Sequence, residues 1–248
     1  MRRRAALWYA AAALALLCLW WLVAAALQVP IIPSPFRVAL CLQAIFLHSI
    51  AVHCLYSLWR IAAGLLLAVA VGFPIGVCMG YFPKLNRFLS PLVYLTYPIP
   101  KIALLPILML LFGVGEMAKI LMIFLIVVFQ VIIAVRDGVS SIPREMFYLF
   151  FSLGASRLRI FVNVLWPASL PNFITALRVA LATAISVLFF TETYGTQYGM
   201  GYFIMDAWLR VNYLEMHSGI VVLSLIGLVL FTTIDLIDQH ACRWQYKQ

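Results

Sequence analysis

The residues to test first for chemistry in this chain of 248 are four histidines, His48, His53, His217 and His240. Their separations match no metal-ligand spacing. No serine stands in a nucleophile-elbow context, and no Gly-Lys-Ser/Thr phosphate loop occurs. Five cysteines, Cys18, Cys41, Cys54, Cys78 and Cys242, also lack metal spacing; four lie in or beside apolar runs, where a thiol acts as a small hydrophobe. No catalytic set, metal site or cofactor is expected. What remains are ions set in apolar surroundings: Arg60, Lys101, Arg178 and Glu192. Ionisable groups at such positions are costly and tend to face a cavity or one another, so their chemistry is pairing, gating or solute contact rather than bond making. Arg60 is expected to pair with Glu192, and these two with Pro100 and Lys101 form the candidate pathway or gate. Snorkelling or structural pairing is the alternative, above all for Arg178. Three cations set against Glu192 and Asp235 favour an anionic solute.

The elements that must carry these residues are membrane helices. The chain is 66% hydrophobic and 10% charged, with mean hydropathy +1.07, far from the balance of a soluble domain. Its apolar runs are continuous rather than alternating, which excludes an outer-membrane barrel pattern. The net charge of +9 is carried by Lys and Arg scattered singly between the runs, so topology explains it and nucleic acid does not.

An all-α protein of about six spans is expected. Helix 1 covers about Ala6–Leu27; its flank MRRR and the AAA at 24–26 also resemble a signal peptide, but 23 uncharged residues exceed a signal core. Helix 2 covers about Val52–Tyr81, with Gly64, Gly72, Gly76 and Gly80 at multiples of four along one face, where a neighbouring backbone can approach. A third segment, Phe88–Gly113, is interrupted by Pro91, Pro98, Pro100 and Pro106, so a broken helix is expected. Helices 4, 5 and 6 follow at about Met117–Val135, Asn172–Thr191 and Ser218–Leu236, with the Gly-rich loop Thr191–Phe203 between the last two. Counted with the N-terminus inside, eleven of the seventeen Lys and Arg are cytoplasmic, Arg2, Arg3, Arg4 and Lys247 among them. Arg37, Lys119 and Arg210 then lie outside or near the outer interface. Both termini and the segment 136–171 therefore face the cytoplasm.

That segment cannot span. Arg144, Glu145, Arg157 and Arg159 flank an apolar block, Met146–Phe151, far shorter than the ~20 residues a crossing needs. A short helical hairpin is expected, with Gly154 ending the first helix in a left-handed cap and Ser156 capping a second over Arg157–Leu165. Pro167 and Pro171 are expected to forbid smooth continuation into helix 5. Such a hairpin either seats its aromatics in a soluble partner or lies on lipid headgroups.

Gly154-Ala-Ser156 and the downstream Leu165-Trp-Pro-Ala-Ser-Leu-Pro171 resemble the cytoplasmic signature loop of ABC importer permeases, which reads Glu-Ala-Ala, then Gly, then Leu-Pro about seventeen residues later. Ser57-Leu-Trp-Arg60, Pro98-Ile-Pro100, Ala103-Leu-Leu-Pro106, Phe112-Gly-Val-Gly-Glu116, Ala176-Leu-Arg178 and Gly199-Met-Gly-Tyr202 extend the likeness over about Ser34 to Trp244. Together they are similar to the nitrate/sulfonate/taurine branch.

The resemblance implies a type I importer fold in a bacterial inner membrane, with residues 1–33 as an N-terminal helix and periplasmic turn and 34–248 as the permease core. It implies a second permease subunit in a homodimer, cytoplasmic ATPase subunits that supply hydrolysis, and a periplasmic or lipid-anchored solute-binding protein. It implies ATPase contact through Glu145, Tyr148, Leu149, Phe150, Gly154, Ala155, Ser156, Arg157, Leu170 and Pro171. Tyr148-Leu149-Phe150 stand where the family has Glu-Ala-Ala, so the acidic residue is missing; either the ATPase groove is matchingly apolar or coupling is altered. A self-sufficient secondary transporter would need an inverted repeat and carboxylates for ion coupling, neither of which is evident. A membrane scaffold is the other alternative.

Overall fold

Arg144 and the terminal Arg2, Arg3 and Arg4 keep their places in helices of a computed structural model that describes residues 2–96 and 98–243, but their side chains lie outside the described residues, as do Trp244 and Lys247. The described chain is helical throughout. Among the described residues, five helical runs are long and apolar enough to cross a membrane, and one bent pair makes a sixth candidate crossing. The helices run as α1 (Arg2–Leu27), α2 (Pro35–Ile45), α3 (Ala51–Tyr81), α4 (Pro83–Thr96), α5 (Leu105–Phe112), α6 (Glu116–Ser140), α7 (Arg144–Ser152), α8 (Arg157–Ile160), α9 (Trp166–Glu192), α10 (Met200–Leu209) and α11 (Tyr213–Ala241).

The centre is α6, packed between α3 and α9. Its buried stripe Met122, Ile123, Val127, Val131, Val135 and Val139 recurs at helical spacing. Each glycine of α3 lies against the α6 residue fifty-nine positions later, so the helices run parallel in one register: Gly64 on Ile123, Gly72 on Val131, Gly76 on Val135 and Gly80 on Val139. A Cβ on Gly76 would stand 2.8 Å from the Ile132 carbonyl oxygen and 2.8 Å from Val135 Cβ. Glycine is what lets the backbones meet where lipid supplies no hydrophobic drive between helices. On the other side of α6, Gly138 accepts Ser169 and Asn172 of the antiparallel α9.

Three departures from the sequence reading have physical causes. The second span begins at Pro35 rather than near Val52, because a π turn over Phe46–Ile50 joins α2 to α3 in one helical run of 47 residues. Pro167 and Pro171 do not break the fifth span: α8, a π turn over Phe161–Leu165 and α9 form one run, Arg157–Glu192. Pro167 follows closely on that π turn, and Ser169 and Leu170, buried beside Pro171, hold the helix against its neighbours. In the third segment only Pro98 and Pro100 fall at the break. Pro91 lies inside α4 and Pro106 opens α5, while α4 and the run Lys101–Phe112 meet at 78°.

Replacing Gly76 with alanine is expected to force α3 off α6 and destabilise the fold by about 1–3 kcal/mol, the usual scale of overpacking. Gly227→Ala, whose new methyl would meet only Ile185 Cδ1 at 3.4 Å, is expected to be neutral. Thermal unfolding in detergent checks the pair; equal midpoints for both variants and wild type would refute the packing account.

Candidate functional site

Arg60 stands on the α3 face that turns toward α6 and α9, and its side chain is wholly buried. Five polar contacts serve its N–H groups. Nε and Nη2 donate to the two carboxylate oxygens of Glu116 at 2.7 and 2.5 Å, a bidentate fork. Nη1 donates to Glu192 Oε1 at 2.6 Å and to the Tyr198 carbonyl at 2.8 Å, and Nη2 reaches Thr196 Oγ1 at 3.5 Å. The Tyr56 ring lies 5.5 Å from the guanidinium carbon and stacks on Tyr198. Arg60 therefore joins the start of α6, the end of α9 and the loop after it.

Glu192 is as deeply buried as Arg60. Ser57 Oγ donates to its carboxylate at 2.9 Å, and the Gly201 N–H donates at 2.8 Å. The local reason is the start of α10. The first backbone N–H groups of a helix have no partner within it, and here Gly199 N–H donates to His53 Nδ1, Met200 N–H to Ser57 Oγ and Gly201 N–H to Glu192. The positive end of the helix thus faces a carboxylate. Gly199 has φ +128°, and a Cβ there would fall 2.6 Å from Arg60 Nη1, so only glycine lets this loop press onto the ions.

Lys119, assigned from loop charges to the outside or near the outer interface, has its side chain fully buried. Its Nζ donates to the carbonyls of Val114 and Gly115 at 2.6 and 3.2 Å. With Glu116 and Glu192 it completes a cluster of two cations and two anions. Arg178, near the other end of α9, pairs with Asp235 at 2.7 Å and Asp238 at 2.8 Å on α11. The expected excess of intramembrane cations is therefore corrected: Glu116, Asp235 and Asp238 balance them, and charge counting gives no preference for an anionic solute. The sequence offered Glu116 only as the end of Gly-Val-Gly-Glu; its value lay in opening α6, where a carboxylate meets the helix dipole.

Of the four candidate pathway residues, Arg60 and Glu192 come together, and Pro100 and Lys101 do not join them. Pro100 precedes the 3-10 turn Lys101–Leu104, and Lys101 Nζ donates to the Thr96 carbonyl at 2.9 Å beneath the Phe129 ring. These contacts fold the break back on itself.

The second region lies at the far end of α6, roughly 37 Å along its 25 residues. Here α7 ends at Gly154, whose φ is +69°, and the Ser156 side chain accepts from the Arg159 N–H at the start of α8. Tyr148, Leu149, Leu153 and Leu158 are exposed at 66, 55, 74 and 71%, and Glu145, Gly154, Ser156 and Arg157 are exposed with them. Phe147 and Phe150 turn inward and pack on the core. Phe150, Leu170 and Pro171 are thus poorly placed to touch a partner, since Leu170 is buried and Pro171 half-buried within α9. Ala155 is half-buried as well.

Residues 64–243 match the family described as binding-protein-dependent transport system inner membrane component. The taurine transport system permease protein of Escherichia coli (strain K12) is 30% identical over 92% of this chain and 86% of its own length. The formylaminopyrimidine transport permease protein of Halalkalibacterium halodurans is 28% identical over 95% of this chain and 94% of its own. Among solved structures, the inward-facing MetNI methionine ABC transporter superposes with TM-score 0.66 at 21% identity, covering 75% of this chain and 93% of that one, a likeness of fold.

Removing one partner from a buried ion pair strands the other, at about 3–5 kcal/mol. Arg60→Met is therefore expected to unfold in detergent well below wild type, and Arg60→Met/Glu192→Leu to recover part of the loss. A double variant no better than the single would refute mutual compensation.

Proposed function

Because the chain belongs to the family of binding-protein-dependent transport system inner membrane components, as a permease subunit of an ABC importer, we propose that it carries a small anionic solute across the membrane by alternating access, driven from α7. The observation that carries the reading is the single helical run Arg157–Glu192, one end at the exposed hairpin and the other holding Glu192 against Arg60. At ~1.5 Å per residue such a run is about 50 Å long, more than a bilayer core of ~30 Å, so displacement of the hairpin is delivered as movement of the far end.

In this reading the hairpin end is cytoplasmic, both termini lie on that side, and the Arg60 cluster faces outward. Tyr148, Leu149 and Leu153 seat in an ATPase subunit that supplies hydrolysis, and exposed Arg157 and Arg159 meet its rim. Gly154 and Ser156 set the angle between α7 and α8. A homodimer encloses the pathway, with Pro100 and Lys101 at the α4–α5 break beside it and a solute-binding protein delivering solute to the outer end. Residues 1–33 form an N-terminal helix and outer turn, and 34–248 the permease core with its coupling loop at 136–171. Arg60 and Glu192 act as the outer clasp. A type I importer architecture is consistent with the MetNI likeness. The anionic solute rests on the taurine relative, because taurine bears a sulfonate. The formylaminopyrimidine relative favours a second reading, an uncharged heterocycle.

Proteoliposomes holding the chain with its co-expressed ATPase and binding protein test this directly. ATP-dependent taurine uptake is expected, and uptake of an aminopyrimidine alone would select the second reading. Gly154→Val, forced to φ +69° at about 1–2 kcal/mol, and Leu149→Asp are each expected to abolish co-elution of the ATPase while leaving the chain folded. Unchanged co-elution in both would sink the docking assignment.

A further inference from the structure

We propose that Arg37 and Arg210 hold the phosphate of a phospholipid headgroup in a cavity where the α1–α2 turn meets the α10–α11 turn. The cavity is about 310 Å³ and is lined by Pro30, Pro33, Arg37, Arg210, Val211 and Asn212 among others. A second hollow of about 460 Å³, bordered by Gln28, Ser34 and Arg37, adjoins it through Pro30, Pro33 and Arg37. Arg37 thus stands where the two meet.

The charges there are unequal. Arg210 is already answered by Asp206 and Glu215, each at 2.8 Å. Arg37 forms no ion pair among the described residues, and its side chain is exposed. It lies in the first turn of α2, whose N-cap Ser34 makes no side-chain cap bond, so free backbone N–H groups add to its positive field. The four charges of the corner sum to zero, but both carboxylates are drawn to Arg210, and Arg37 is left without a carboxylate at ion-pair distance among the described residues. Asp206 in the last turn of α10 and Glu215 in the first turn of α11 place carboxylates near enough to accept the ammonium of a zwitterionic headgroup such as phosphoethanolamine.

Backbone strain marks the same corner. The two non-glycine residues with positive φ among those described are Gln28, at +47°, and Val211, at +58°, and each borders one of the two hollows. A β-branched residue rarely adopts this conformation, and such strain tends to collect where a site is held in shape. The surroundings fit a lipid rather than a free ion: Val29, Ile31, Phe36, Leu209 and Val211 are exposed apolar side chains at the boundary between span ends and turns, level with the headgroups of a surrounding bilayer. Guanidinium recognition of phosphate is bidentate and strong in such half-dry sites.

The test uses the full chain purified with its membrane partners in nanodiscs containing phosphatidylethanolamine. Lipid retained after a detergent wash is counted by native mass spectrometry for wild type, Arg37→Gln and Arg37→Lys. Retention is expected to fall roughly tenfold in Arg37→Gln, the weight of one charge-assisted contact, and to recover in part with lysine. Inorganic phosphate at millimolar level is expected to leave the wild-type lipid in place. Equal retention by wild type and Arg37→Gln would overturn the proposal, and so would complete displacement by inorganic phosphate, which would make this a site for free anions.

Discussion

A guanidinium buried in a membrane protein has to be answered on every side, and the arrangement around Arg60 follows from that demand. Water is not at hand to solvate what the protein leaves open, so an unanswered donor or charge costs several kcal/mol. Two carboxylates, a carbonyl and a hydroxyl meet the side chain. They come from the start of α6, the end of α9 and the loop between α9 and α10. Satisfying one side chain therefore fixes the relative positions of three helix ends. Glu192 then imposes the same demand, and the N-terminus of α10 meets it with backbone donors. Gly199 is required for this contact, since a Cβ there would collide with the ion pair.

Beneath that cluster the α3–α6 contact keeps one register from Gly64 to Gly80. A parallel pair held by backbone approach along five turns moves as a unit more readily than it shears, because each glycine seat is shaped for one residue of α6. The run Arg157–Glu192 packs antiparallel on the other side of α6. The α4–α5 break is different: its 3-10 turn, its prolines and Lys101 form a compact corner outside this packed trio. Flexing at that corner leaves the ion cluster intact, whereas flexing within the trio would expose it.

Much of this was legible in the sequence, because the legible parts are local. Span composition, the four-residue spacing of glycines, the broken third segment and the Gly154–Ser156 corner are each written within a few turns of chain. The pairing of Arg60 with Glu192 was inferred from the rarity of ions in apolar runs, yet their main-chain surroundings were not. Glu116 lies 56 residues from Arg60, and Asp235 and Asp238 lie 57 and 60 from Arg178. No periodicity joins such positions; only the packed register does. Lys119 could be assigned from the sequence only to a membrane face; that its amine turns inward onto the Val114 and Gly115 carbonyls depends on how the corner before α6 folds. The π turns also lack a composition signal, so the length of the second span and the continuity through Pro167 and Pro171 could not be read.

The compensation of charge bears on how a solute is chosen. Arg60 and Lys119 are matched by Glu116 and Glu192, so this cluster has no net charge to offer an anion, and drawing Arg60 toward a sulfonate would strand Glu192 in the interior. Arg178 is likewise matched by two aspartates, in a more exposed pairing. Under the proposed importer function, the task of matching a charged solute falls to a binding protein that meets it in water, where charge can be matched without emptying a buried pair. Relatives named for taurine and for formylaminopyrimidine then need differ little in the ions that hold the fold. Under the proposed function, the difference then lies in the binding protein that each permease accepts.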